Sequence, residues 1–186
     1  MRGAVASPGV NTSDLGLQRT VRVEVGVGDT VVVYTTRSGH SGALAEQFAA
    51  MIDAPAYEVK DVAGHAGLVG FLRAGFQASR RLSAPMGDPG IDLTDVGTVV
   101  LVQPIWASNL SPVLRTWLDA HRAELSGARL AMLASQSGSP PERFRSNVEA
   151  ELGGLVAFAA IPERLAMQER IDRLEALAGC LQPARA

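Results

Sequence analysis

Short apolar runs alternate with polar segments from residue 30 onward. Five of these runs have the length of β-strands, at 30–34, 56–61, 98–102, 130–134 and 155–161. The runs at 98–102 and 130–134 are apolar on both faces, which is typical of central strands in a parallel sheet. The pattern therefore predicts a sheet that is buried on both sides.

Apolar residues at helical spacing fill the segments between these runs. They predict helices from Gly42 to about Ile52, over 65–79, over 111–125, around Phe144 to Leu152, and from near Pro162 to Leu181. Proline favours the first turn of a helix, which is why the last helix is expected to begin near Pro162. Strands and helices that alternate in this way predict an α/β fold with a parallel sheet and helices on both faces.

The chain of 186 residues suits one domain, which we expect to span 20–186. Residues 1–19 are rich in Gly, Ser, Asn and Pro and predict a poorly ordered tail. The alternating segment 21–25 is either an extra edge strand or a β-prone part of that tail. Residues 84–90 are rich in Pro and Gly and predict a loop.

Composition excludes several classes of protein. Hydrophobic residues make up 47% and charged residues 19%, so the chain is globular rather than disordered. The net charge is −2 with no basic tract of five residues, which argues against a nucleic-acid partner. The single cysteine, Cys180, excludes an internal disulfide and a Cys-rich metal site. No apolar run approaches the roughly 20 residues of a membrane span, and the first residues lack the continuous apolar core of a signal peptide, so we expect a cytoplasmic protein.

Three polar or Gly/Pro-marked loops follow the strands: the first loop (35–41), the second loop (103–109) and the third loop (135–141). In parallel sheets, ligands bind at the carboxyl ends of the strands. The first loop joins a strand to a helix and is rich in hydroxyl groups. Unpaired N–H groups and the helix dipole favour an anion at such a helix start, and Gly39 allows close backbone approach. The first loop is therefore a candidate phosphate site, with an ordinary capped turn as the alternative.

These segments resemble the flavodoxin family. The segment Thr36-Arg37-Ser38-Gly39-His40-Ser41 resembles the flavodoxin phosphate loop, and Pro104-Ile105-Trp106-Ala107 followed by 110–118 resembles the part that packs against the flavin ring. Residues 67–76 resemble the second helix of one subgroup of short flavodoxin-like proteins. The resemblance covers about residues 29–182. It implies a three-layer flavodoxin-like sandwich with a five-stranded parallel sheet in the order 2-1-3-4-5, and FMN as cofactor.

The resemblance also implies which residues hold FMN. The phosphate would lie at the first loop, and the isoalloxazine would lie between the second and third loops. The implied cofactor-binding residues are Thr35, Thr36, Arg37, Ser38, Gly39, His40, Ser41, Pro104, Ile105, Trp106, Ala107, Ser108, Asn109, Ser135, Gln136, Ser137 and Gly138. The flavin itself would carry the chemistry, so no catalytic side chain and no metal site are expected.

Some of these positions leave alternatives open. His40 stands where flavodoxins usually have Asn, and it either contacts the phosphate or lies in solvent. Arg37 either pairs with the phosphate dianion or is solvated. Trp106 is the one obvious ring for stacking on the flavin, although it could instead pack beneath its loop. Ser108 and Asn109 either hydrogen-bond the pyrimidine edge of the flavin or cap the next helix.

Other chemistries on similar folds lack their required residues. A phosphoacceptor receiver domain needs acidic residues after the first and third strands, where Thr35 and Gln103 stand. The Gly-Lys-Ser/Thr of a P-loop and a Gly-x-Ser-x-Gly elbow are both absent from the sequence. A low-molecular-weight phosphatase would need a cysteine in the first loop, and the single cysteine is at 180.

The resemblance therefore implies a redox protein that transfers electrons or hydride through FMN. The partner would be a small-molecule donor or acceptor, such as a quinone, or a redox protein; a homodimer stays open. The alternatives are a non-enzymatic electron carrier and an interaction domain that has lost FMN. Near the site the sequence indicates one carboxylate, Glu142, which predicts a less strongly reducing flavin than in an acidic flavodoxin.

Overall fold

The computed structural model describes residues 30–62 and 83–181. The predicted tail at 1–19, the strand-like segment at 21–25 and the predicted helix at 65–79 lie outside the described residues.

The described residues contain a five-stranded parallel sheet and a small two-stranded sheet. The strands are β1 (Thr30–Tyr34), β2 (Ala56–Glu58), β3 (Lys60–Asp61), β4 (Met86–Gly87), β5 (Thr98–Pro104), β6 (Arg129–Gln136) and β7 (Ala157–Pro162). The large sheet has the spatial order β2-β1-β5-β6-β7, and all of its neighbouring strands are parallel. When only the five strands of the large sheet are counted along the chain, this order is 2-1-3-4-5. The predicted fold class and strand order are therefore confirmed.

Helices pack on both faces of the large sheet. They are α1 (His40–Met51), α2 (Pro112–Ala120), α3 (Pro141–Leu152) and α4 (Met167–Leu181), with a 3-10 turn at Glu124–Gly127. Successive strand residues point to opposite faces. Val99 and Leu101 of β5 pack with Trp117 of α2, and Val100 packs on the other face with Phe48 of α1. The core is therefore divided into two layers by the sheet.

Two predicted helix starts are wrong. The first helix begins at His40 rather than at Gly42, because Gly39 takes a left-handed conformation (φ 87°) that turns the chain into the helix two residues earlier. The last helix begins at Met167 rather than near Pro162. Pro162 ends β7, where it pairs with Gln136, so its preference for a helix start is overridden by the sheet.

Two other predicted elements are shorter than expected. The strand expected at 56–61 ends at Glu58 in the large sheet. The following residues of β3 leave that sheet and pair antiparallel with β4, which lies within the predicted loop 84–90. The helix expected at 111–125 spans Pro112–Ala120, since His121 leaves the helical conformation and the 3-10 turn follows.

The sheet register brings the three loops to one edge. Tyr34 of β1 is level with Val102, and Pro104 of β5 is level with Ser135. Parallel strands end at the same side, so the first, second and third loops lie together at the carboxyl edge of the sheet. Among the described residues, no helix has the length and apolar character that crossing a bilayer requires.

Candidate functional site

The first loop is held in shape by its own hydroxyl groups. The Gly39 N–H donates to Thr36 Oγ1 at 3.1 Å, and Ser38 Oγ lies 3.0 Å from His40 Nδ1. The Thr35 N–H donates to the Val102 carbonyl at 3.0 Å, which extends the sheet by one residue and leaves Thr35 buried. Thr36 therefore shapes the turn, whereas Ser38, Gly39 and His40 are exposed.

The first turn of α1 presents backbone donors to this edge. The first hydrogen bond within the helix is donated by the Ala43 N–H to the Gly39 carbonyl, at 2.9 Å. The N–H groups of His40, Ser41 and Gly42 precede that bond, and in the described residues no side chain caps this turn and no acidic residue lies in it. These groups and the positive end of the helix dipole make the turn a candidate anion site.

Gly42 packs where a side chain would crowd the strand end. A Cβ on Gly42 would lie 3.4 Å from Thr36 Cγ2 and 3.4 Å from Tyr34 Cε2. Burial of the Tyr34 phenol raises its pKa, and the carboxylates of Glu58 and Glu46 raise that pKa further. Tyr34 is therefore neutral at pH 7 and adds no negative charge beside the first loop.

Ser135 joins the three loops. Its Oγ lies 2.8 Å from Ser41 Oγ, and both hydroxyl groups are buried. Its carbonyl accepts the Ile105 N–H at 2.9 Å. One residue of the third loop thus contacts the first loop through its side chain and the second loop through its backbone.

The second loop turns sharply at Ala107 and Ser108. Both residues have positive φ (48° and 52°), and Trp106 and Asn109 form an isolated antiparallel bridge around them. Positive φ at both central positions is the pattern of a type I′ turn, which favours Gly or Asn and is strained for Ala and Ser. The Asn109 Nδ2 donates to the Ala107 carbonyl at 2.7 Å. Asn109 therefore stabilises its own turn, and the turn fixes Trp106.

Two side-chain amides anchor the second loop. Gln103 is the first residue of that loop, and Asn147 lies outside it on α3. Gln103, fully buried, donates through Nε2 to the Asn109 carbonyl (3.1 Å), and its Oε1 accepts the Ser111 N–H (2.8 Å). Asn147 of α3 donates through Nδ2 to the Ser108 carbonyl at 2.8 Å. Neither amide was predicted from the sequence to be a site residue. The signal for Gln103 was a polar residue at the end of an otherwise apolar strand; Asn147 had no local signal.

Trp106 and Arg37 meet across the first and second loops. The Arg37 guanidinium carbon lies 4.3 Å from the centroid of the Trp106 ring, which is a cation–π contact. Trp106 is partly exposed and Arg37 is exposed. The sequence left two alternatives for Arg37, a phosphate partner or a solvated side chain. The structure places its guanidinium in a third position, over the Trp106 ring.

The third loop is largely exposed. The Gln136 Nε2 donates to the Ser139 carbonyl at 2.8 Å, and Ser137 and Gly138 between them are exposed. The Gln136 carbonyl accepts the Glu163 N–H at 3.0 Å, so the residue after β7 is tied to this loop.

The carboxylate of Glu163 lies at the site, and it was not predicted from the sequence. Its Oε1 lies 3.9 Å from His40 Nδ1, with the imidazole 56% and the carboxylate 25% exposed. Glu163 directly follows the last strand, which ends at the same edge of the sheet as the three loops. That position in the sequence could have identified it as a site residue. Glu142, the carboxylate that the sequence indicated, is exposed in the first turn of α3.

Several flavoproteins of known structure share this architecture. A flavoprotein from Lactobacillus acidophilus NCFM, in complex with FMN, superposes with a TM-score of 0.62 at 17% identity, covering 80% of this chain and 99% of that one. A protein from Bacteroides eggerthii DSM 20697 gives 0.64 at 15% identity, covering 82% and 99%. A WrbA-like flavodoxin from Agrobacterium tumefaciens gives 0.54 at 15% identity, covering 82% and 96%.

This chain has the flavodoxin-like fold. The superpositions and the strand order agree on this, and the resemblance noted in the sequence is confirmed at the level of fold. No protein-family model matches the sequence, and no curated protein does so. Within residues 30–62 and 83–181 of this flavodoxin-like chain, no group of three or more His, Cys, Asp or Glu side chains is placed to hold a metal ion.

Proposed function

We propose that this protein binds FMN non-covalently at the three loops and works as a redox protein. The observation that carries the proposal is the uncapped first turn of α1, which lies on the same sheet edge as a partly exposed Trp106. A phosphate site beside an aromatic ring is what a flavin mononucleotide requires. The shared fold with an FMN complex of another protein supports the proposal.

The residues present fit the phosphate of FMN. A phosphate dianion accepts hydrogen bonds from N–H and O–H groups. Such donors are present here as the N–H groups of His40, Ser41 and Gly42 and the exposed hydroxyl of Ser38. Gly39 has φ 87°, and a Cβ built on it would meet nothing within 4 Å. The space beside Gly39 is therefore open.

The residues present also fit an aromatic ring system. Trp106 is the only Trp, Tyr or Phe in the three loops, and its turn is held by Asn109 and Asn147. We propose that the isoalloxazine stacks against Trp106 and is bounded on its other side by Ser135 to Gly138. The pyrimidine edge would meet backbone groups of the second loop, since the Asn109 side chain is bonded within its own turn.

When bound, FMN would supply the electron or hydride transfer. The chain would bind the phosphate, orient the ring through Trp106 and present it at an exposed edge. The net charge of −2 provides little steering toward a basic redox protein. We therefore favour a small acceptor such as a quinone over a protein acceptor.

The visible spectrum of the purified protein tests this proposal. We expect flavin absorbance in the protein as isolated, or after incubation with FMN and gel filtration. FMN should bind more tightly than riboflavin, which has the same ring and no phosphate. A colourless protein that takes up neither compound would overturn the proposal and favour an interaction domain that has lost FMN.

A second measurement separates reductase from carrier. The FMN-loaded protein is mixed with NADH or NADPH under anaerobic conditions, and a quinone is then added. Bleaching by the nicotinamide followed by rapid reoxidation by the quinone is the expected result for a reductase. A flavin that is reduced by a redox protein and not by the nicotinamide indicates a carrier.

A further inference from the structure

A positive charge lies over one face of the Trp106 ring, and the opposite face of that ring is the one on which the flavin is proposed to stack. Arg37 belongs to the first loop, yet its guanidinium covers the Trp106 ring of the second loop, 4.3 Å from the ring centroid. The cation therefore sits on the ring side of the site, while the phosphate donors lie at the start of α1.

The seat of this cation is well defined. Trp106 is bridged to Asn109 across the strained turn, and its neighbour Ile105 is buried and bonded to the Ser135 carbonyl at 2.9 Å. The ring that carries Arg37 is thus fixed to the sheet on both sides. A guanidinium on a fixed aromatic face has a preferred position despite its exposure.

We propose that Arg37, seated on Trp106, raises the reduction potential of the bound flavin. This inference rests on the proposed function. Uptake of two electrons and one proton from an external reductant adds one negative charge to the flavin ring. A nearby guanidinium attracts that charge and stabilises the reduced cofactor more than the oxidised one.

The carboxylate of Glu163 lies at a different part of the site. It approaches the first loop through His40, at 3.9 Å from Nδ1. The charge of the FMN phosphate does not change when the ring is reduced. Glu163 is therefore expected to weaken binding of oxidised and reduced FMN to a similar extent, whereas Arg37 is expected to change the ratio of the two affinities.

The test measures the dissociation constant of FMN in both oxidation states. Oxidised FMN and dithionite-reduced FMN are titrated anaerobically into the wild-type protein and the Arg37→Gln and Arg37→Lys variants. We expect Arg37→Gln to raise the ratio of reduced to oxidised dissociation constants by about tenfold, equivalent to about 30 mV for a two-electron couple. Arg37→Lys, which keeps the charge, should retain most of the wild-type ratio.

Arg145 supplies a matched control. Its guanidinium carbon lies 5.5 Å from the ring of Phe158, so it is also an arginine on an aromatic face, but Phe158 lies near the amino-terminal end of β7 whereas the three loops lie at the carboxyl edge of the sheet. Arg145→Gln should leave the ratio unchanged. A Trp106→Leu variant removes the seat, and in that background Arg37→Gln should have a clearly smaller effect on the ratio.

The outcomes separate this inference from the proposed function. If the wild-type protein binds no FMN, the proposed function fails. If it binds FMN and Arg37→Gln leaves the ratio at the wild-type value, the inference alone is overturned. If Arg37→Gln weakens both oxidation states equally and leaves riboflavin unaffected, Arg37 is a phosphate ligand and the inference is again overturned.

Discussion

Individual hydroxyl groups at this site have separable roles. Ser38 is exposed beside His40, whereas Ser41 is buried and its Oγ lies 2.8 Å from Ser135 Oγ. A hydroxyl can donate one bond and accept another, so Ser41 can serve the phosphate and Ser135 together. The two serines should therefore differ in their effect on stability even if both serve the ligand.

Replacing Ser38 and Ser41 together with Ala should weaken FMN binding by about 1 kcal/mol or more per lost bond. The loss would come from hydrogen bonds to the charged phosphate. Quenching of FMN fluorescence measures the affinity, with riboflavin as the ligand that lacks the phosphate. Ser41→Ala alone should also lower the free energy of unfolding, because it leaves the buried Ser135 hydroxyl without that partner. An unchanged preference for FMN over riboflavin would show that the phosphate lies elsewhere.

Asp88, which lies outside the proposed cofactor site, should make the free energy of unfolding depend on pH. Its Oδ1 accepts the Gly90 N–H at 2.9 Å, and its Oδ2 lies 2.9 Å from His121 Nε2. The Gly90 bond is the largest cause that holds the Asp88 pKa below its ordinary value of 3.8; His121 lowers it further and burial opposes both. Since the folded pKa is the lower one, the stabilisation is present above the ordinary value and is lost as the pH falls through the folded pKa.

We therefore expect Asp88→Asn to lower the free energy of unfolding near neutral pH, and this deficit to shrink only as the pH falls from about 5 to below the ordinary Asp88 pKa of 3.8. Urea denaturation at several pH values measures it. Asp92→Asn is a control, because Asp92 also accepts a hydrogen bond within its own turn, from the Thr94 N–H at 3.1 Å. A deficit from Asp88→Asn that stays constant over this pH range would contradict the assignment.

At the scale of elements, the second loop depends on a buried amide. Gln103 bonds the Asn109 carbonyl and the Ser111 N–H, so it ties the end of β5 to the start of α2. Leu at this position has similar volume but leaves both backbone groups without this partner in the interior. Such groups are costly to bury unpaired.

Gln103→Leu should lower the free energy of unfolding by about 2 kcal/mol. It should also weaken the binding of FMN and of riboflavin to the same extent, because the second loop is proposed to contact the ring rather than the phosphate. Gln136→Leu is the matched control, since Gln136 makes one side-chain bond at the surface, to Ser139, and should cost about 0.5 kcal/mol or less. Equal losses from the two variants would exclude an anchoring role for Gln103.

The sequence was informative where local pattern and sheet pairing agree. The apolar runs of β1, β5 and β6 and the hydroxyl-rich first loop were all predictable from neighbouring residues. Pro162 was misleading because its helix preference lost to pairing with Gln136. Asn147 and Glu163 were missed because their contacts join segments far apart in the chain, and no local pattern records such contacts.

At the scale of the whole molecule, charge sets how partners arrive. With a net charge of −2, long-range attraction or repulsion of a partner is weak. A neutral quinone carries no net charge on which this field could act, so the rate at which it oxidises the FMN-loaded, reduced protein should change by less than about twofold between low salt and physiological ionic strength. Stopped-flow absorbance gives this rate, and a basic cytochrome serves as the charged comparison. A steep fall with salt for the cytochrome, together with a faster rate than the quinone, would favour an electron carrier.

Ser135 also has a consequence for how this site can evolve. Because its side chain meets Ser41 and its carbonyl meets Ile105, the three loops share one reference point. A substitution at position 135 therefore changes the hydrogen bonding of residue 41, while the backbone bond from residue 105 is compatible with any residue at 105 except proline. Among natural variants of this chain, residues 41 and 135 should covary as a polar pair, whereas position 105 should vary independently among apolar residues.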